Sequence, residues 1–437
     1  MKPAARPAGQ EGATDAVSRL LSTTVWRMSG WPWWLQVLVV FVAARLVSAC
    51  IFAAAALHQG TNPWFAPAPD YWNFITIWDG RWYQTAADEG YPSVLPLDEN
   101  GVVKENTWAF YPLFPLLGRG LSALTGLGTL QSLTTVAMAA GLGAALVIYR
   151  LFLEFTGRRT ALWGVVFVST FPVSAILQVP YAESLNLLLL AAALLLVVRG
   201  RYLSAIPVVL LMCLSRPTGV PFALMLGLLL VGKLWQRFGP NQAVRPRKQG
   251  EQAEQPGQAE QADQPTSLVR LVPLTVLVGV AALGALAWPA IAWAATGDPT
   301  AYTRTETAWR GTDLVPFKPW FDAGQMLLGP VAGVFAPFVF VGLFALVMVS
   351  KPVRALGTEL RLWCACYMGY LLVFLQPQTS TFRMLLPMFP LALGVAFLSK
   401  SKAYRGTVVV MFILLQIVWI VWLWAWAQLP GGGDYPP

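Results

Sequence analysis

Long apolar runs separated by short polar breaks make up most of the chain. Crossing the hydrocarbon of a bilayer takes about 20 apolar residues. The runs 33–57, 131–153, 160–178, 181–198, 268–295, 327–349, 361–375, 382–398 and 407–428 read as spans. The stretch 203–234 is too long for one ordinary span. Ser215-Arg216-Pro217-Thr218-Gly219 interrupts it, so it reads as two short crossings meeting at a break. The Pro- and Gly-rich run 110–127 reads as re-entrant or interfacial. The pattern predicts an all-α integral membrane bundle of about eleven transmembrane helices with a structured first extracytoplasmic loop.

The polar segments set the domain organisation. Residues 1–32 form an N-terminal arm carrying Lys2, Arg6, Arg19 and Arg27. The apolar run after it is longer than the core of a cleavable signal, so it reads as a retained first span. A membrane core covers 33–235, with its first outer loop at 58–130. Residues 236–267 form a loop whose Gln-, Glu-, Pro- and Gly-rich part, 239–266, has almost no large apolar side chains and reads as disordered. C-terminal membrane helices cover 268–428, with an outer loop at 296–326, and 429–437 is a tail.

Composition agrees with this reading. The chain is 56% hydrophobic and only 12% charged, against about 25% charged in soluble domains. Its 20 tryptophans suit membrane–water interfaces. The net charge of +9 lies in clusters between apolar runs, which marks topology and not nucleic-acid binding. Of the 30 Lys and Arg, a cytoplasmic N-terminus puts 21 on the cytoplasmic side, eight outside and Arg45 within the first span. Treating 203–234 as one span would invert every later loop. The four cysteines lie in apolar runs and the single histidine is His58, so no cluster has zinc-ligand spacing. No internal repeat of the inverted-repeat transporter kind is evident.

This topology gathers the unusual polar residues on the outer face. The first loop holds Trp78-Asp79-Gly80-Arg81-Trp82-Tyr83, Gly90-Tyr91-Pro92 and Phe110-Tyr111-Pro112-Leu113-Phe114-Pro115. Later turns hold Pro180-Tyr181-Ala182-Glu183-Ser184, the break at Arg216, a basic-aromatic loop with Glu306, Trp309 and Arg310, and Gln376 to Arg383. A carboxylate among aromatic rings can act as a general base, because partial desolvation raises its affinity for a proton. Asp79 is the sharpest candidate. A helix cap or an ion pair with Arg81 is its competing role. Glu183, after Pro180, either meets a helix dipole or hydrogen-bonds a substrate or catalytic neighbour. Arg216 at a helix break needs an anion or a wet cavity, and an arginine fork suits phosphate; interfacial anchoring is its competing role. Arg383 faces the same choice. Arg45, deep in the first span, reads as packing against carbonyls.

In order and rough spacing from residue 33 to about 235, these motifs resemble the GPI mannosyltransferase II (PIG-V) family, a member of the GT-C class of polytopic glycosyltransferases. The resemblance implies a GT-C-like bundle. It also implies inverting transfer of mannose from a polyprenyl-phosphate-mannose donor to a hydroxyl of a glycolipid. Asp79 matches the acidic residue of the first outer loop near the catalytic centre. The chain departs from the family in its Gln-rich loop and in reading Phe-Tyr-Pro where two phenylalanines are common. Its Ala-, Arg- and Gly-rich style looks bacterial, and a bacterial member would sit in the plasma membrane. The acceptor would then be a phosphatidylinositol mannoside, a lipoglycan or a protein hydroxyl.

The expected site therefore has Asp79 as catalytic base. Its substrate-binding residues are Trp78, Arg81, Trp82, Tyr83, Tyr111, Tyr181, Glu183, Arg216, Arg310 and Arg383. No cofactor is called for. A divalent cation is compatible with the carboxylates, although no dedicated cage is visible. The expected partners are the lipid-linked donor, the acceptor and the bilayer, with no nucleic acid. Two rival readings are a transporter or flippase of lipid-linked sugars and a non-catalytic scaffold of a glycan-assembly complex.

Overall fold

The computed structural model describes residues 30–238 and 268–428. The N-terminal arm up to residue 29, the loop 239–267 and the tail 429–437 lie outside the described residues. The expectations for those segments, including disorder in the loop, therefore lie outside them too.

Nearly every apolar run becomes a helix, because a chain in lipid must satisfy its backbone groups internally. With the polar helices of the loops included, the elements used below are, in order, α1 (Trp33–Ala56), α2 (Asp79–Asp88), α3 (Leu113–Thr125), α4 (Thr129–Phe152), α5 (Arg158–Thr170), α6 (Glu183–Val198), α7 (Tyr202–Cys213) and α8 (Gly219–Phe238). After the undescribed loop come α9 (Leu268–Thr296), α10 (Ala301–Arg310), α11 (Lys318–Leu328), α12 (Ala332–Val349), α13 (Gly357–Phe374), α14 (Thr381–Met384), α15 (Pro390–Leu398) and α16 (Lys402–Val418). The last helix widens into a π-helical turn at Trp419–Trp424.

Six of the described helices are long and apolar enough to cross a membrane, and a bent pair makes a possible total of seven. The expected eleven crossings also counted shorter pieces. The run 160–178 stops being α-helical at Thr170, where Phe171-Pro172 turns the chain, and resumes as a 3-10 turn at Ser174–Gln178. The run 382–398 bends by 75° between Thr381–Met388 and Pro390–Leu398. Pro387 and Pro390 remove the backbone donors a straight helix needs there. The stretch 203–234 is indeed two helices, α7 and α8, separated at Leu214–Thr218. The run 110–127 contains the short amphipathic α3, which leaves Leu116, Leu117 and Leu124 exposed.

The centre of the bundle is α4 packed on α6. Ala137, Gly141 and Ala145 repeat every four residues on α4 and are buried. Small residues at this spacing let helices approach closely in lipid, where the hydrophobic effect between helices is weak. A side chain at Gly141 would meet the Phe41 ring at 3.0 Å. By contrast α12 exposes Phe335, Phe338, Val339, Leu343 and Leu346, as suits a helix solvated by lipid tails.

Arg45 joins α1 to the turn after α5. Its guanidinium donates to the carbonyls of Ser174 and Ser169, the latter at 2.6 Å, and to Ser174 Oγ at 3.0 Å. Gln416 of α16 extends the network, accepting from Ser48 Oγ at 2.9 Å and donating to Ser174 Oγ at 3.1 Å. This is the carbonyl packing expected from sequence. Arg45→Met leaves buried acceptors unmet and should cost about 2 kcal/mol. Thermal unfolding of the purified protein checks this.

Candidate active site

The long segment between α1 and α4 is structured. Asp70 caps the short helix Tyr71–Ile75 by accepting from Asn73 N–H at 2.8 Å, and Asn106 accepts from Trp108 N–H at 3.1 Å to cap the turn Thr107–Ala109. Between these lies α2, whose first residue is Asp79. The preceding Trp78 has φ 58° and ψ −129°. A bulky residue rarely takes this conformation, and it costs about 1–3 kcal/mol. Tertiary bonds hold it: the Trp78 indole N–H donates to the Trp424 carbonyl at 2.7 Å, and its ring packs edge-on against Trp64 at 5.2 Å. Next to Asp79 there is room only for glycine. A Cβ at Gly80 would lie 2.9 Å from Pro180 Cγ.

Four charged side chains from four segments meet behind this strained turn. Arg383 Nη1 donates to Asp79 Oδ2 at 2.5 Å and to Glu183 Oε1 at 3.3 Å. Arg216 Nη1 pairs with the same Glu183 Oε1 at 2.6 Å. The side chains are largely sealed: Arg383 is 7% exposed, Glu183 5%, Asp79 13% and Arg216 16%. The partner of Asp79 is thus Arg383, where Arg81 was the expected competitor. The anion at the Arg216 break is Glu183. Glu183 Oε2 and Arg383 Nε are buried without hydrogen-bond partners, so the group has unused bonding capacity.

Tyr181 supports the network from below. Its hydroxyl accepts from Asp79 N–H at 3.1 Å, and the Arg383 guanidinium lies over its ring at 5.3 Å. The Arg216 break is held by Asn186, whose amide donates to Ser215 Oγ at 2.9 Å and Thr218 Oγ1 at 2.8 Å. Asn186 lies three residues after Glu183, on the same helix face.

A cavity of about 570 Å³ opens on these groups, within the usual range of about 300–1,000 Å³ for small-molecule sites. Of the expected site residues, Trp78, Asp79, Arg81, Trp82, Tyr83, Tyr111, Glu183, Arg216, Arg310 and Arg383 all line it. Tyr181 does not. It was expected to bind substrate, but it is fully buried and holds Asp79 and Arg383 in place. Trp82 stacks on Phe110 at 6.1 Å and meets Trp309 edge-on at 5.0 Å. The Tyr111 hydroxyl lies 3.3 Å from that of Tyr302. Sequence reasoning gave no role to Asn186, Glu105, Glu306, Trp309, Tyr367 or Tyr370, all of which except Asn186 and Glu105 sit among aromatic residues of the wall. Glu306 is half-buried on α10. Desolvation raises its pKa above the ordinary carboxylate value, only partly opposed by Arg310 and by a hydrogen bond from Tyr302.

Beside the polar cavity lies an apolar groove of about 480 Å³ between α11, α12 and α13, lined by Trp320, Phe321, Pro337, Phe338, Val341 and others. The α13 residue Leu371 lines the cavity and its neighbour Leu372 lines the groove. Among the described residues no group of three His, Cys, Asp or Glu side chains could hold a metal ion.

The fold and site define a multi-pass integral membrane protein with a buried cluster of two carboxylates and two arginines at one end of its helices. No family model matches the chain, and no curated protein does. Among solved structures it is similar to ArnT from Cupriavidus metallidurans bound to undecaprenyl phosphate. That likeness has 13% identity and a TM-score of 0.45, and covers 83% of this chain and 60% of that one. It is also similar to the Archaeoglobus fulgidus oligosaccharyltransferase in complex with Zn and sulfate, at 14% identity and a TM-score of 0.43, covering 87% of this chain and 53% of that one. A second structure of the same oligosaccharyltransferase, tethered to an acceptor peptide containing the NVT sequon, matches at 14% identity and a TM-score of 0.41, with 88% and 54% covered. The chain thus spans no more than 60% of the length of these structures.

Two expected outcomes follow from the geometry. Glu183→Gln leaves two buried guanidiniums with one carboxylate and should destabilise the protein by about 3 kcal/mol, read by thermal unfolding. Glu306 binds its proton more tightly folded than unfolded, so its contribution to stability is present at acid pH and lost as pH rises through its raised pKa. Glu306→Gln should therefore raise the thermal midpoint at pH 7.5 and leave it nearly unchanged near pH 4.

Proposed function

We propose that this chain is a membrane mannosyltransferase that moves mannose from a polyprenyl-phosphate-mannose donor to a hydroxyl of a glycolipid acceptor, with inversion at the anomeric carbon. The acceptor is of the phosphatidylinositol mannoside or lipoglycan type. The transfer takes place on the non-cytoplasmic face of the membrane. The observation that carries this reading is the meeting of Asp79, Glu183, Arg216 and Arg383 at one cavity. The identity of the sugar rests on the motif resemblance around these residues.

In this reading Asp79 takes the proton from the acceptor hydroxyl. The hydroxyl oxygen forms a bond to the anomeric carbon. The bond from that carbon to the phosphate oxygen breaks, and the electron pair leaves with the lipid phosphate. Arg216, with Arg383, offsets the negative charge developing there, the kind of preorganised electrostatic stabilisation that dominates many enzymes. Glu183 keeps both guanidiniums in place between turnovers. Trp82 and Trp309 supply flat apolar surface for a sugar face, with Tyr83 buried against Phe110 and Phe114 in the wall. In this reading the apolar groove that Leu372 lines takes the isoprenoid chain.

Asp79→Asn should lower transfer by about 10³-fold; it also leaves two buried guanidiniums with one carboxylate, as Glu183→Gln does, so transfer is compared at a temperature below the variant's thermal midpoint. The check is incubation of purified protein with polyprenyl-phosphate mannose and a panel of membrane lipids, followed by mass analysis of the products. Movement of the labelled donor across vesicles with no covalent product would favour the flippase reading instead.

A further inference from the structure

The end of the bundle away from the cavity holds a second concentration of charge, which the proposed reaction does not use. Both α5 and α16 begin there. The chain from Lys402 to Trp424 runs 23 residues, about 34 Å at helical rise, and ends at the carbonyl that anchors Trp78. A full membrane thickness therefore separates its start from the candidate active site.

Arg405 lies in the first turn of α16 and is only 3% exposed. Its guanidinium sits over the ring of Trp163, 5.1 Å from the centroid, and its charged neighbour is Arg159 in the first turn of α5. Its Nε is buried without a hydrogen-bond partner. Among the described residues no carboxylate pairs with Arg405 or Arg159. Glu154, in the turn before α5, is already committed to Arg199, which donates to it at 2.9 and 2.7 Å. The N-terminus of α5 has Gly157 at its cap position and no side-chain cap, so its free N–H groups add positive potential to the same place.

A buried guanidinium beside a second cation and an uncapped helix start is stable only when an anion completes the group. The geometry points to a site for a phosphate-bearing anion between Arg405, Arg159 and the start of α5. We infer that its occupant is the headgroup of an anionic phospholipid. Phosphate oxygens fit the arginine fork. Trp163 gives the group the aromatic–basic character of a membrane interface. In the topology expected from the charge pattern this is the cytoplasmic leaflet, where anionic lipids concentrate. The site is independent of the proposed reaction.

The test uses the full-length protein in detergent. Retention of phosphatidylglycerol and of phosphatidylcholine is compared by native mass spectrometry, and thermal stabilisation is measured with phosphatidylglycerol and with inorganic phosphate. The wild type should retain phosphatidylglycerol with about a tenfold preference. Arg159→Gln removes an exposed side chain and leaves the packing intact. It should reduce that preference about fivefold. Arg405→Lys keeps the charge but loses the fork and should reduce it as well. Equal retention of the two lipids, or an unchanged preference in Arg159→Gln, overturns the site. Stabilisation by inorganic phosphate as large as that by phosphatidylglycerol overturns the headgroup assignment in favour of a soluble anion.

Discussion

A guanidinium sealed between two carboxylates organises this molecule. Arg383 reaches Asp79 and Glu183 at once, and Glu183 is shared with Arg216. In a poorly solvated interior each of these charges is tolerable only while its partners are in place. The four residues come from the start of α2, the start of α6, the break between α7 and α8, and the bent pair that begins with α14. All four segments must therefore converge, and the helices are interrupted where they do. The cluster is neutral as it stands. A lipid phosphate entering the cavity adds negative charge, which the two arginines can meet only by sharing themselves between it and the carboxylates. A site arranged this way holds its base and its anion-binding groups in one coupled set.

Packing around the cluster makes it rigid. The strained Trp78 is tied to Trp424, and the Trp424 indole N–H in turn donates to the Phe74 carbonyl at 3.0 Å. The last helix thus closes on the first loop. The Tyr181 ring lies 5.5 Å from that of Trp424 and bears both Asp79 and Arg383. Removing backbone freedom around a reacting group is what keeps its geometry from drifting by the ångström that matters in catalysis. The strain at Trp78 is stored where such strain usually has a use.

Much of this was legible in the sequence, for physical reasons. Lipid imposes composition so strongly that the apolar runs locate most of the helices, and the polar break at Arg216 marks an interruption within 203–234. The crossing count was less legible, because prolines bend or end runs that hydropathy alone joins, as at Phe171-Pro172 and Pro387. The motifs around Asp79, Glu183, Arg216 and Arg383 stood out as polar groups in apolar surroundings. Their pairing did not. Arg383 lies 304 positions from Asp79 and 200 from Glu183, and no local spacing rule reaches that far. Tyr181 is among the substrate contacts the sequence suggests, yet it is buried and bears Asp79 and Arg383. Trp424 read as one more interfacial tryptophan, and its hold on Trp78 is purely tertiary.

The central claim is that the four charges form one site for a lipid-linked sugar phosphate. An experimental structure of the protein in a lipid nanodisc with polyprenyl-phosphate mannose bound tests it most directly. The account predicts the donor phosphate against Arg216 and Arg383, the sugar beside Trp82 and Trp309, and the isoprenoid chain leaving towards Leu372. Donor seated elsewhere, with Asp79, Glu183, Arg216 and Arg383 still closed on one another and out of its reach, would contradict it.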